Sequence, residues 1–282
     1  MRIGELRVSL YKERGEGVRE RLEVDFLLEE LLGIPREKFY AFPEIEVKKE
    51  KASLLFEGVR KIRRGYPLPY LIKKSNFYGL DFFLEEGVFI PRPETEILVD
   101  TALKIIGGKR VRVLEAGSGA GNISITLARF SPAQVLGVEI SEQAVEVSLY
   151  NAKRWSVEGK ATFIHKDMRE IFSERVFKED FDLIVSNPPY VARKEIPFLS
   201  PSVFWEPVQT WYGGEEGMDY YCLLVREGRK ALKKGGYLVM EMGKGKAFKV
   251  RKLLRENGFT EIGIIKDYQG VDRVIWGRKE VR

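Results

Sequence analysis

Hydrophobic and polar positions change their period twice along this chain. Up to about residue 75 they recur at helical intervals. Val18, Leu22, Asp25, Phe26, Glu29 and Leu32 predict one helix, with Leu22, Phe26, Leu27, Leu28 and Leu31 as its apolar side. Gly33, followed by Ile34-Pro35, ends it. A second helix is expected over residues 51–64, burying Leu54, Leu55, Val59 and Ile62 and stopped by Gly65 and Pro67. Helices this short are marginal alone, so they must pack together as a small bundle. From 76 to 91 the pattern turns aromatic and β-prone. Residues 77–84 and 88–90 read as two strands around Glu85-Glu86-Gly87, a hairpin joining two domains.

From Arg110 onward short apolar runs alternate with amphipathic stretches. Before them, Pro93 suits a first helical position, with Glu94 and Glu96 at the positive helix start and Gly107-Gly108 at its end. Strands are expected at 111–116, 135–139, 161–165, 181–186 and 237–241. Helices are expected at 122–130, from the Ser141 cap to about 155, at 220–232 and at 246–257. Two last strands, 259–266 and 271–278, are close enough to pair antiparallel. The alternation predicts an α/β fold with a mostly parallel sheet and helices on both faces. The domain division is therefore 1–75, helical; 76–91, connecting hairpin; and 92–282, α/β.

Composition narrows the class. The chain has 282 residues, 44% hydrophobic and 32% charged, with no apolar run near the roughly 20 residues of a membrane helix. Met1-Arg2-Ile3-Gly4-Glu5 carries early acid and no apolar core, which does not read as a secretory signal. Cys222 is the only cysteine, so an internal disulfide or a cysteine-based zinc site is excluded and a reducing, cytoplasmic setting fits. His165, the only histidine, ends an apolar strand and reads as structural; no Gly-x-Ser-x-Gly occurs. The net charge is +6. Residues 1–75 supply four of it, with 17 Lys and Arg against 13 Asp and Glu. Lys61, Arg63, Arg64, Lys73 and Lys74 there form either a solvated face or a docking face for an acidic or RNA-rich partner.

Two stretches carry chemistry. Phe181 to Ser186 is a buried strand that runs into Asn187-Pro188-Pro189-Tyr190. Neither proline can donate to a ladder, so the strand stops in a stiff turn offering an amide, carbonyls and an aromatic ring. Ligands of open α/β sheets sit beyond the carboxyl ends of the strands, where this turn falls. The second stretch is Glu115-Ala116-Gly117-Ser118-Gly119-Ala120-Gly121, a glycine turn between a strand and a helix that can approach a ligand closely. Glu139 ends the next strand, where an acid can hold both hydroxyls of a ribose, and Asp167 follows the third. The spacing Gly117-x-Gly119-x-Gly121 differs from the Gly-x-Gly-x-x-Gly of nicotinamide enzymes.

The glycine pattern, with Asp167 and Asn-Pro-Pro-Tyr, resembles the S-adenosylmethionine-dependent methyltransferases. That likeness implies cofactor contacts from Gly117, Ser118, Gly119, Ala120 and Gly121, from Glu139 at the ribose, from Asp167 and Met168 near the adenine, and from Asn187. Met168 stands where many relatives carry an aromatic; its polarisable side chain can pack on a π face. Enzymes sharing Asn-Pro-Pro-Tyr methylate planar nitrogens, either exocyclic amines of DNA bases or side-chain amides. Asn187 Oδ1 and the Pro188 carbonyl can accept both N–H bonds of an –NH2 group, and Tyr190 can pack on the flat substrate beside Pro189. Asn187, Pro188 and Tyr190 are thus the catalytic candidates.

Further segments choose between those nitrogens. Pro67-Leu68-Pro69-Tyr70-Leu71, Phe77-Tyr78-Gly79-Leu80, Pro91-Arg92-Pro93-Glu94-Thr95-Glu96, Glu206-Pro207, residues 213–221 and Asp272-Arg273-Val274 resemble the HemK/PrmC family from about residue 18 to the C-terminus. The resemblance implies methylation of the glutamine side-chain amide (N5) in the Gly-Gly-Gln loop of bacterial class 1 peptide-chain release factors. It also implies a partner-binding helical N-terminal domain and sheet order 3-2-1-4-5-7-6 with the last strand antiparallel. The alternatives are a DNA adenine N6 methyltransferase, for which about 75 mildly basic residues are a poor target-recognition domain, and a non-catalytic cofactor-binding scaffold on an RNA or ribosomal partner. A nicotinamide oxidoreductase fits least. No stable DNA binding and no membrane association are expected.

Overall fold

The computed structural model describes residues 1–15, 17–174 and 177–281. The chain forms two compact units, Met1–Lys74 with Ser200–Trp205, and Ser75–Leu199 with Glu206–Arg282.

The first unit is helical: α1 (Ile3–Arg14), α2 (Val18–Leu32), α3 (Arg36–Ala41), α4 (Lys49–Arg63) and α5 (Leu68–Ile72). Ile3, Leu6 and Leu10 of α1 pack with Leu27 and Leu28 of α2, Phe39 of α3 and Leu55 and Val59 of α4, all fully buried. The apolar stripe of α2 is rotated from the expected one. Leu22 and Phe26 are exposed, and the buried positions are Val24, Asp25, Leu27 and Leu28. Three side chains from other helices make that rotation stable: Tyr11, Tyr40 and Arg36. Asp25 accepts the hydroxyls of Tyr11 at 2.5 Å and Tyr40 at 2.6 Å, which satisfies a buried carboxylate. The outward Phe26 ring carries the Arg36 guanidinium at 4.5 Å. Leu54, expected inside, also faces out. Of the basic run, Lys61 pairs with Glu57, Arg63 with Glu13 and Lys74 with Glu30, so much of its charge is answered locally.

The second unit opens with a two-stranded hairpin, β1 (Lys74–Phe77) and β2 (Leu80–Phe83). It turns earlier than the aromatic pattern predicts. Tyr78 and Gly79 both have positive φ, 53° and 72°, the geometry of a tight primed turn, and residues 88–90 are not a strand. Asn151 accepts the Phe83 N–H and donates to its carbonyl, and the Trp155 indole donates to the Asp81 carbonyl, so the hairpin is hydrogen-bonded to one helix.

After a 3-10 turn at Pro93–Thr95 come α6 (Glu96–Ile106), β3 (Arg112–Ala116), α7 (Asn122–Phe130), β4 (Gln134–Glu139), α8 (Glu142–Arg154), β5 (Ala161–His165), α9 (Met168–Ser173) and β6 (Phe181–Ser186). The chain continues through α10 (Asp219–Leu223), a π turn at Leu224–Gly228, α11 (Arg229–Ala231), β7 (Leu232–Glu241), α12 (Ala247–Glu256), β8 (Phe259–Lys266) and β9 (Asp272–Lys279). The seven strands stand in the order β5-β4-β3-β6-β7-β9-β8, with β9 antiparallel to both neighbours. Counted from β3 this is the order 3-2-1-4-5-7-6. Successive residues of the central strands feed opposite faces, as the pleat requires. Val113, Leu183, Val185 and Val239 pack under α6, α7 and α8; Leu114, Ile184, Leu238 and Met240 pack under α9 to α12. Two covered faces explain why these strands read as continuous apolar runs.

Leu28 sits at the centre of the helical unit with no exposed surface. Leu28→Ala should lower the unfolding free energy by about 2–5 kcal/mol. Urea denaturation of the full chain measures this, and a loss under about 1 kcal/mol would remove Leu28 from the bundle's core.

Candidate active site

A cleft of about 970 Å³, mouth included, opens at the carboxyl ends of β3, β4, β5 and β6. Among its lining residues are Glu115, Gly117, Ser118, Gly119, Glu139, Asp167, Met168, Asn187 and Pro189.

The glycine turn follows β3 with Gly117, Gly119 and Gly121 all at positive φ, 79°, 52° and 80°. These are the conformations in which a side chain is strained, and glycine keeps the backbone open to a ligand. Met168 Cε would stand 3.7 Å from a Cβ on Gly117, so the methionine overhangs the turn. Gly121 serves packing instead: a Cβ there would come within 3.0 Å of Ile125, Phe163 and Ser148. Ala120 is fully buried and its carbonyl accepts from Asn151. Neither belongs to the cleft wall.

Three acids meet the cleft in different states. Glu139 is half-buried; its oxygens accept the Gly119 and Ser141 N–H groups at 2.9 and 3.0 Å, leaving lone pairs for a diol. Asp167 caps α9 through the Arg169 N–H at 2.8 Å and pairs with the Arg169 guanidinium, which holds its carboxyl below the usual range. Glu115 is 1% exposed. Its Oε2 accepts from the Ser124 N–H and hydroxyl, while Oε1 and the buried Ser118 Oγ have no partner. Burial pushes the Glu115 carboxyl up to about 8, with the Ser124 bonds opposing and Glu139 adding. Unsatisfied buried oxygens facing a cleft suit a ligand with hydrogen-bond donors, including an ammonium. This set of acceptors fits S-adenosylmethionine.

At the end of β6 the ladder stops as the prolines demand. The Ser186 hydroxyl donates to the Ala116 carbonyl at 2.7 Å, tying the two strand ends together. Asn187 and Pro189 face the cleft; Pro188 is buried, and Tyr190 is half-buried against the apolar core. The Tyr190 hydroxyl donates to Glu241 at 3.3 Å, and burial raises its pKa. Residues 211–217 wrap the turn: the Val191 N–H reaches the Trp211 carbonyl at 2.8 Å and the Gly213 N–H reaches the Val191 carbonyl at 2.9 Å.

Sequence reasoning missed a buried chain behind Asn187. Asn187 Nδ2 donates to Thr95 Oγ1 at 3.1 Å, and the Thr95 hydroxyl donates to Glu241 Oε2 at 2.6 Å. The available signal was a carboxylate closing an apolar strand at Glu241. His165 lies outside the cleft, its Nε2 at 2.9 Å from the Ile140 carbonyl. Trp205 belongs to the helical unit, where its ring meets Tyr66 edge-on at 4.9 Å, and the Trp211 indole donates to the Glu206 carbonyl. Arg92 pairs with the buried Glu206.

This sheet order, with a glycine turn after its first strand and an acid ending its second, is the architecture of S-adenosylmethionine-dependent methyltransferases. A methyltransferase-domain family model matches residues 108–260, and the PrmC N-terminal domain model matches residues 12–72. The chain is 38% identical over 266 residues to the release factor glutamine methyltransferase of Dictyoglomus turgidum, covering 90% of this chain and 89% of that one. It is 35% identical over 235 residues to that of Clostridium acetobutylicum, 82% of each. A solved methyltransferase from Pyrococcus furiosus shares the fold, with a TM-score of 0.55 at 19% identity over 72% of this chain and 90% of its own. The protein belongs to the release factor glutamine methyltransferase family.

Glu115 gives a signed test. Its folded pKa, about 8, lies above the ordinary value of 4.5, so the native state holds the extra proton and stability falls as pH rises through that interval. Thermal melts without cofactor should show wild type losing more stability between pH 6 and 9 than Glu115→Gln. Glu241 contributes with the same sign in both proteins. Parallel melting curves would mean Glu115 titrates normally.

Proposed function

We infer that this protein transfers the methyl group of S-adenosylmethionine to the side-chain amide nitrogen (N5) of the glutamine in the Gly-Gly-Gln motif of bacterial peptide-chain release factors. The observation that carries the reading is the Asn187 amide at the end of β6, lining the same cleft as Glu115, the glycine turn and Glu139. Class 1 release factors in the cytoplasm are the substrates, no stable DNA complex forms, and residues 1–75 are the partner-binding domain.

An amide nitrogen is a poor nucleophile because its lone pair is delocalised into the carbonyl. S-adenosylmethionine supplies an activated methyl on a sulfonium, so alignment of the nitrogen accounts for much of the rate. Asn187 Oδ1 and the Pro188 carbonyl accept the two N–H bonds of the substrate amide and turn its lone pair toward the methyl carbon. As the N–C bond forms and the S–C bond breaks, the nitrogen gains positive character. Its hydrogen bonds strengthen, which favours the transition state over bound substrate. The proton leaves after transfer, so no histidine base is required. Tyr190 and Pro189 flank the flat substrate group. Gly117, Ser118 and Gly119 would hold the cofactor with Glu139 at its ribose, and Asp167 and Met168 would lie near the adenine; Arg169 engages the Asp167 carboxylate. Ala120 and Gly121 shape the turn from behind.

Asn187→Ala should lower kcat about 100-fold, the scale of one lost transition-state acceptor, with cofactor affinity by calorimetry changed less than about twofold. Mass spectrometry of a release factor after incubation should show one methyl on the Gly-Gly-Gln glutamine. Labelled cofactor incubated in parallel with duplex DNA should leave it unlabelled. Methylated DNA with an unmodified release factor would overturn the reading.

A further inference from the structure

We propose that Thr95 and Glu241 are positioning residues that lock the Asn187 amide in the one orientation able to receive a substrate –NH2. The proposal rests on the reading of Asn187 as the acceptor. An asparagine amide can be rotated by half a turn at small steric cost, which exchanges its oxygen for its NH2. With NH2 turned to the cleft, two donors would face each other and the substrate nitrogen would keep only the Pro188 carbonyl as acceptor. Something must choose the orientation, and the chain of donors behind Asn187 does so.

Thr95 and Glu241 are 2% and 1% exposed, so no bulk water competes for their hydrogen bonds. A hydroxyl has one proton. The 2.6 Å contact between Thr95 Oγ1 and Glu241 Oε2 commits that proton to the carboxylate, because an ionised carboxylate only accepts. Thr95 Oγ1 then presents lone pairs alone to Asn187, which must answer with Nδ2, at 3.1 Å. Oδ1 is left as the free end at the cleft. The second carboxylate oxygen accepts from Tyr190 at 3.3 Å, so one buried acid orders two residues of the Asn-Pro-Pro-Tyr turn.

The lock has a pH dependence. Burial pushes the Glu241 carboxyl up to about 7, opposed by its bonds to Thr95 and Tyr190 and by Arg273, and assisted by Glu94. Once protonated, Glu241 can donate to Thr95 Oγ1. The threonine proton is then free to point at Asn187 Oδ1, and the amide can turn over. Because the ionised form keeps the lock, turnover is full above the Glu241 pKa and is lost as pH falls through about 7. The groups facing Glu241 come from several elements: Arg273 on β9, with Asp267 paired to it, Glu94 before α6, Tyr190 after β6, and Tyr221 on α10, whose hydroxyl donates to the Glu241 carbonyl at 3.1 Å. Arg273, Tyr190 and Tyr221 are held above their ordinary values, so they do not titrate near neutrality.

The test follows kcat, KM for release factor and KM for cofactor from pH 6 to 9 in wild type, Thr95→Val, Thr95→Ser, Glu241→Gln and Asn187→Ala, with calorimetric cofactor binding as the check on folding. Wild-type kcat should fall on the acid side near pH 7. Thr95→Val, similar in shape but without the hydroxyl, should lose about tenfold in kcat, the scale of a buried donor left unpaired, with KM for cofactor held within about twofold. Thr95→Ser should recover to within about threefold. Glu241→Gln removes the group that titrates, so the acid limb should vanish whatever the remaining rate. A flat wild-type profile, a Thr95→Val enzyme as fast as wild type, or an acid limb retained in Glu241→Gln would overturn the lock. If Asn187→Ala is itself as active as wild type, the acceptor role falls and the lock with it. If only Asn187→Ala is slow, the acceptor role stands and the lock alone fails.

Discussion

The pairing of β3 with β6 sets everything at the cleft. Val113, Leu114 and Glu115 stand beside Leu183, Ile184 and Val185 in parallel register. Both strands therefore leave the sheet at the same level, with Gly117 and Asn187 as neighbours in that register. The glycine turn and the Asn-Pro-Pro-Tyr turn are placed side by side by backbone hydrogen bonds before any ligand arrives. The Ser186 hydroxyl on the Ala116 carbonyl closes the pair at its open end. A slip of β6 by one residue would send Leu183 and Val185 to the wrong face and pull the two turns apart, so the same apolar alternation that builds the core also registers the site.

Against that frame the acids divide by environment rather than by residue type. Glu139 is half-buried and accepts two backbone N–H bonds, from Gly119 and Ser141. Glu115 and Glu241 are buried, one with an unpartnered oxygen and one at the head of a hydrogen-bond chain, and burial raises both. Burying acids costs stability, and the apolar faces of the sheet around them offset that cost.

The parts of the chain legible in sequence were those where one physical signal dominates. Buried parallel strands read as unbroken apolar runs, and β5 and β6 coincide with the expected spans. Glycine turns and proline stops also announce themselves. The helical unit was harder because its helices are charged on most faces. In α1 only Ile3, Leu6 and Leu10 reach the core, and that stripe is short enough to be lost among charges. In α2, Asp25 is inside and Phe26 outside, an inversion that depends on tyrosine hydroxyls and an arginine from other helices. The site shows the same division. Asn187 and the glycine turn were visible in one stretch each. Thr95 and Glu241 are 146 positions apart and meet only through the fold. Asp167 was legible as an acid after a strand, but its capping of α9 depends on a helix too short to stand out.

The absence of side chains at two glycines shows how firmly the Asn-Pro-Pro-Tyr turn is held. A Cβ on Gly213 would lie 2.6 Å from the Pro189 carbonyl oxygen, and one on Gly217 would lie 2.2 Å from that of Tyr190. Those atoms are backbone, so they cannot swing aside. The wrapping segment is therefore glycine where it crosses the turn, and it closes over it without a gap. Together with the strand end on one side and the Glu241 carboxylate on the other, it leaves the turn little freedom to move relative to the glycine turn. Rigidity of that kind suits a reaction whose electrophile is already activated. In the proposed reaction what remains to be supplied is the direction of a nitrogen lone pair, and a stiff corner supplies direction better than a mobile base could.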